Sequence, residues 1–247
     1  PTITEPDRPV PWPGVREGLR LNNVAFHYTD GVPVLHGIDI EVPAGHTVGI
    51  VGSTGAGKST ILNLLLRFRD PISGAVTVDG VDLRDLSLKE LRTRIGLVLQ
   101  DVHLFPGTVL DNLGGDPERS RSALDFLGVD TPLDRVLREG GAGLSRGERQ
   151  LLTFARALVD DPAILVLDEA TSAIDPATEA RLQEALERLQ AGRTTVIVAH
   201  RLSTVRHCER IYVLAEGRVR EFGNHDELLA KGGVYAALSQ LQAGVAA

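Results

Sequence analysis

At 247 residues, with 43% hydrophobic and 24% charged side chains, the chain has the composition of an ordinary soluble globular protein of one large domain or two small ones. A formal net charge of −7 disfavours a nucleic-acid-binding surface spread over the whole molecule, and a single cysteine, Cys208, excludes an internal disulfide and reads as a small buried apolar residue. No apolar run approaches the roughly 18 residues of a membrane span, and no signal peptide precedes the first strand.

Residues 1–18 hold Pro1, Pro6, Pro9, Pro11 and Pro13 with few apolar residues, which predicts an extended linker whose Trp12 docks on a neighbour. The chain contains no methionine and opens inside this leader, so the expectation is a piece of a longer polypeptide. From Leu19 the alternation in LRLNNVAFHY and VLHGIDIEV predicts two antiparallel strands joined at Asp30-Gly31. HTVGIV is a short apolar strand, followed by a glycine-rich loop and a helix in STILNLLLRF. AVTVDG and RIGLVLQ read as strands flanking a short helix in DLSLKELRT, with Ser87 as its N-cap and Glu90 three residues on.

The texture then changes. From Asp101 to about Asp160 the pieces SRSALDFLG, PLDRVLRE and SRGERQLLTFARALV read as helices between glycine-rich joints, a helical insert. Strands return in AILVLDEA, TTVIVAH, RIYVLAEG and RVREFG, interleaved with the helix PATEARLQEALERLQ and closed by helical DELLA and VYAALSQLQ. Apolar strands alternating with helices predict a three-layer α/β core.

Residues 52–60, Gly52, Ser53, Thr54, Gly55, Ala56, Gly57, Lys58, Ser59 and Thr60, match the phosphate-loop pattern G-x-x-x-x-G-K-[ST]. Wrapping backbone N–H groups around phosphate oxygens favours residues without a Cβ, and ending at a helix N-terminus favours an anion. Lys58 supplies a mobile positive charge and Ser59 a magnesium ligand. ILVLDEA places Asp168 and Glu169 at a strand's carboxyl end, where an aspartate holds magnesium and a glutamate orients or deprotonates the attacking water. Together these residues indicate binding of ATP with Mg2+.

With LSRGERQ at 144–150 upstream of ILVLDEA, the sequence resembles the nucleotide-binding domain of ATP-binding cassette (ABC) proteins over residues 19–241. LSRGERQ resembles the family signature, usually LSGGQ. The fold this implies is an α/β P-loop NTPase (RecA-like) core with an antiparallel β-subdomain and an inserted α-helical subdomain. The resemblance further implies Tyr28 as the aromatic stacked on adenine, Gln100 as a lid glutamine near magnesium and the water, SAID at 172–175 with Asp175 as the D-loop, and His200 as the switch histidine on the γ-phosphate. The resemblance also implies Ser145 and Gly147 as the signature's phosphate contacts, made to ATP on the phosphate loop of a second such domain in a head-to-tail pair.

Three features resemble exporters: the proline-rich leader as a linker from an upstream membrane domain, DVHLFPGTVLDNL after the lid glutamine, and Glu139 in LREGGAG as the exporter X-loop. The expectation is an ATPase at the cytoplasmic face of a membrane, with its own transmembrane domain upstream and no nucleic-acid partner. An importer subunit, a non-transport ATPase and a nucleotide sensor without turnover are the alternatives. The signature departs from the family at Arg146 and Glu148 while retaining Ser145 and Gly147. Beside an intact Glu169, this resembles one half of a heterodimeric exporter; a homodimer that tolerates Arg146 is the other reading.

Overall fold

The computed structural model describes residues 3–29, 31–99, 103–168 and 176–245. The first alternating segments form β1 (Gly18–Thr29) and β2 (Val32–Pro43), antiparallel with Thr29 opposite Val32. Gly31 supplies the positive φ of +81° that this tight connection needs, and Asp30 lies outside the described residues. β3 (Thr47–Gly52) and α1 (Lys58–Leu65) follow on either side of the glycine-rich loop. With β4 (Ser73–Val78) and β5 (Val81–Asp82), the first two strands make a sheet in the order β2-β1-β4-β5. α2 (Leu88–Arg94) starts where its sequence foretells, with Glu90 N–H donating to Ser87 Oγ at 3.4 Å, and runs into β6 (Ile95–Val98).

The insert contains β7 (Gly107–Thr108), α3 (Val109–Asn112), α4 (Pro117–Phe126), β8 (Val136–Leu137) and α5 (Arg146–Leu158). PLDRVLRE is not the helix its spacing suggests. Its backbone is consumed by a neighbour: Val109 and Leu110 N–H donate to the carbonyls of Arg135 and Leu133, both at 2.9 Å, and Val136 pairs with Thr108. This turn and short strand thereby serve orphan donors at the start of α3, and that tertiary use outweighs local propensity.

The remainder supplies β9 (Ile164–Asp168), α6 (Pro176–Gln190), β10 (Thr194–Val198), α7 (Leu202–Val205), β11 (Arg210–Ala215), β12 (Arg218–Gly223), α8 (His225–Lys231) and α9 (Val234–Val245). The central sheet runs β12-β11-β3-β10-β9-β6 and is parallel except for β12. Successive residues of β9 feed two different cores. Leu165 and Leu167 join α4, α5, α6 and α9 on one face, while Ile164 and Val166 join α1, α2 and the four-stranded sheet on the other. Two-sided burial explains the unbroken apolar run in the sequence, and each such side chain contributes about 1.5–3 kcal/mol. Cys208 is buried in the first core, and that burial pushes its thiol up to about 12.

Residues 3–17 form no helix and one isolated bridge, Val10 with Leu86, and they are fastened to the domain. Val10 N–H donates to Asp85 O at 2.8 Å, and the Glu5 carboxylate accepts Leu88 N–H at 3.0 Å, serving the first donor of α2. Arg67, 3% exposed just beyond α1, donates to Leu86 O, Thr4 O and Asp70 Oδ1 at 3.0–3.1 Å. Trp12 and Val15 pack against the second core, so the neighbour of Trp12 is this domain itself.

Candidate functional site

The glycine-rich loop leaves β3 under tight constraint: a Cβ on Gly52 would stand 2.3 Å from Leu214 O on the adjacent strand. The loop closes with Ala56 N–H donating to Ser53 O at 3.1 Å, and Gly57 then takes a left-handed conformation at φ +103° as the N-cap of α1. Glycine offers no side-chain oxygen, so α1 has no side-chain cap. The first intrahelical bond runs from Ile61 N–H to Gly57 O, and the amides of Lys58, Ser59 and Thr60 have no acceptor within the helix. Lys58 is 4% exposed, and its ammonium donates to Gly52 O at 2.7 Å and Ser53 O at 3.0 Å. Ser53, Thr54, Gly55 and Ser59 are exposed, whereas Ala56, Gly57 and Thr60 are buried. Helix-start amides without an intrahelical acceptor, a positive helix end and an ammonium held against the loop are suited to a polyanion.

Sheet register places the next elements at the same edge. Val198 lies opposite both Ile50 of β3 and Asp168 of β9, and Ala199 N–H donates to Ile50 O at 3.0 Å. Asp168 is therefore level with Ile50, two residues before Gly52 and two strands away, and His200, exposed, follows two residues after Val198. This is the carboxyl edge of a parallel sheet, where α/β proteins gather ligands. Gln100, Glu169 and the segment 172–175 with Asp175 lie outside the described residues. Among the described residues, no group of three His, Cys, Asp or Glu side chains is placed to hold a metal by itself. A magnesium ion bound by Ser59 and Asp168 would draw on phosphate oxygens to complete its shell, which is the usual mode for this ion.

Tyr28, near the end of β1, is 53% exposed beside this loop. The Phe26 and Tyr28 rings are T-shaped with centroids 4.9 Å apart, the Tyr28 hydroxyl shares a hydrogen bond with Thr60 Oγ1 at 3.2 Å, and Asn63 Nδ2 donates to it at 3.3 Å. The ring is thus tied to the phosphate-loop helix. Asn63 was not singled out from the sequence, although its place three residues after Thr60 puts both on one face of α1.

LSRGERQ forms the start of α5. Ser145 is the N-cap: its Oγ accepts Glu148 N–H at 3.1 Å, and its own N–H donates to Glu148 Oε2 at 2.7 Å. The glutamate that departs from the family pattern completes this reciprocal box and pairs with Arg135 at 3.3 Å. The Ser145 N–H holds the Glu148 carboxyl below its usual range, opposed by partial burial and assisted by the Ser145 hydroxyl and Arg135. Arg135 is a second residue that sequence reading missed, because it lies thirteen positions upstream with no helical phase to Glu148. Arg146 is exposed and Gly147 buried. Leu144 and Leu151, flanking the signature, belong to the first core, whereas α1 belongs to the second. Signature and phosphate loop are rooted on opposite faces of the sheet.

The chain as a whole resembles known proteins. The ABC transporter family profile matches residues 35–172. An ATP-dependent lipid A-core flippase from Sodalis glossinidius (strain morsitans) is 45% identical over 244 residues, which is 93% of this chain and 42% of that protein. YheH of Bacillus subtilis (strain 168), a probable multidrug resistance ABC transporter ATP-binding/permease protein, is 46% identical over 238 residues, 92% of this chain and 35% of that one. The structure of a bacterial Atm1-family ABC exporter with ATP bound superposes with a TM-score of 0.86 at 38% identity, covering 96% of this chain and 44% of the exporter chain. The chain spans less than half the length of the curated relatives it matches, and among its described residues no helix is long and apolar enough to cross a membrane. A profile that runs through both the phosphate loop and the Asp168 strand, over more than half of the residues, shows that the chain belongs to the ABC transporter family, of which it is an ATP-binding domain.

Proposed function

We propose that this domain binds and hydrolyses ATP to drive an exporter, closing head to tail on a second ATP-binding domain around two nucleotides. The observation that carries the reading is α1: no side-chain cap, the Lys58 ammonium against the loop carbonyls, and the Asp168 row at the same sheet edge. In this reading Gly52 to Thr60 cradle the phosphates and Tyr28 stacks on adenine. Magnesium, held through Ser59, Asp168 and Gln100, supplies charge neutralisation on the outer phosphates. Glu169 accepts the proton of the attacking water and His200 hydrogen-bonds the γ-phosphate. Closure follows from differential affinity, because the closed pair alone offers both half-sites to ATP. The test is Glu169→Gln in the assembled transporter: nucleotide binding persists and turnover falls by orders of magnitude. Turnover at the wild-type rate overturns the assignment.

The exporter direction draws on the relatives, a flippase, a probable multidrug transporter and an Atm1-family exporter. Two exposed features support it: Phe105 lies on a loop locked by Asn112, which accepts Phe105 N–H at 2.8 Å and donates to Phe105 O at 2.9 Å, and Glu139 lies two residues before Gly141, where a Cβ would stand 2.9 Å from Leu104. In this proposal both segments face intracellular loops of a transmembrane domain joined through the leader, on the cytoplasmic side of the membrane.

Arg146 supports a further assignment, that the partner is a different half-transporter. The signature keeps Ser145 and Gly147 but sets an exposed cation between them, so the site it completes on the partner's ATP is the less active of two. Purification of the full-length protein alone as a homodimer with two equal ATPase sites would rule this out.

A further inference from the structure

We propose that Gln242, near the end of α9, is a positioning residue for His200. Its amide is used at both ends: Nε2 donates to the His200 carbonyl at 2.7 Å, and Oε1 accepts Leu202 N–H at 2.9 Å. The two bonds clasp the backbone on either side of Arg201, between the end of β10 and the start of α7. Arg201, the N-cap of α7, makes no side-chain capping bond, so Gln242 serves the first donor of that helix from outside it. One side chain can do both only with a donor and an acceptor on the same planar group; glutamate retains the acceptor alone.

α9 is built to hold this clasp steady. At its other end the Glu221 carboxylate, on β12, accepts the N–H groups of Val234 and Tyr235 at 2.6 and 3.1 Å. Tyr235 is fully buried, and its hydroxyl meets His225 Nδ1 at 2.8 Å. The helix therefore bridges the edge strand of the sheet and the histidine loop as a strut anchored at both ends. A hydrogen bond to the histidine's own carbonyl fixes the peptide plane from which the imidazole projects. Loss of that bond lets the ring drift from the position that a γ-phosphate contact requires, and small misplacements at a reacting centre cost large factors in rate.

The inference rests on the assignment of His200 to the γ-phosphate, and the experiment separates the two. In the full-length transporter assembled with its partner, Gln242→Ala and the isosteric Gln242→Glu are each expected to lower kcat about tenfold while the KM for ATP stays within about twofold. In a His200→Ala background, Gln242→Ala should add no further loss, since its effect passes through the histidine. Wild-type kcat in Gln242→Glu, or a fully additive loss in the double variant, overturns the positioning role. If His200→Ala itself turns over at the wild-type rate, the γ-phosphate assignment fails instead, and the role of Gln242 with it.

Discussion

Gly147 and Thr178 are in contact where α5 packs on α6: a Cβ on residue 147 would stand 2.3 Å from Thr178 Cγ2. The signature's two glycine positions therefore have different physical status. The second is closed by packing, and the first, occupied by Arg146, is exposed. Gly147→Ala is expected to destabilise the domain by about 1–3 kcal/mol through overpacking against a β-branched neighbour. Arg146→Gly should shift stability by no more than about 1 kcal/mol, the helix-propensity difference. Urea midpoints of the two variants check both, and equal midpoints would refute the packing account.

Lys58→Ala should abolish the stabilisation that ATP confers. For the wild type, ATP at a hundredfold excess over its Kd raises unfolding free energy by about 2.7 kcal/mol, visible as a higher Tm. A variant that keeps the shift would show that the loop binds without its ammonium.

Tyr28→Ala removes a stacking surface worth about 1–3 kcal/mol and should weaken ATP binding by roughly 5- to 150-fold. Tyr28→Phe keeps the ring and loses only the hydroxyl's bonds to Thr60 and Asn63, so its affinity should remain near wild type. Titration with a fluorescent ATP analogue distinguishes ring from hydroxyl.

Asp79 ties the end of the leader to the β-subdomain by accepting the N–H groups of Arg16, Glu17 and Gly18 at 2.7, 3.0 and 3.0 Å. Burial pushes its carboxyl up, but the Gly18, Arg16 and Glu17 amides together hold it below the ordinary value of 3.8. A carboxylate whose folded pKa is depressed stabilises above its unfolded value and loses that contribution as pH falls through the folded one. Asp79→Asn should thus cost about 1 kcal/mol at neutral pH. Denaturation curves of wild type and variant should converge on acidification below the ordinary carboxylate value.

Arg67→Met replaces a buried guanidinium by an apolar chain and strands the carbonyls of Leu86 and Thr4 and the Asp70 carboxylate. The expected loss is about 3 kcal/mol. Hydrogen exchange should quicken at Val10 and Leu88, whose amides bond to Asp85 O and the Glu5 carboxylate in the strap that Arg67 secures. A midpoint change without faster exchange there would confine the role of Arg67 to α1.

The central strands and the phosphate loop were legible because their signals are local: β9 reads as an apolar run since both its faces are buried, and Gly52 to Ser59 sit between a strand and a helix as the loop requires. Ser87 announced its helix for the same reason. What stayed hidden depends on partners distant in the chain. PLDRVLRE has helical spacing, but α3 claims its carbonyls. The leader has the composition of a free linker, and its attachment rests on Arg67, 63 residues beyond Thr4. No periodicity announces that Gln242 will close on a backbone 40 and 42 residues earlier.

α2, α3, α4, α5 and α8 each begin on a residue whose side chain accepts a backbone N–H, and α1 begins on Gly57 with nothing to offer. The helix at the heart of the domain is left unfinished by its own sequence. In the proposed reading, a bound phosphate chain would act as its missing first residue in all but covalency, so ATP would be a removable part of the secondary structure, and each departure of the nucleotide would reopen that end.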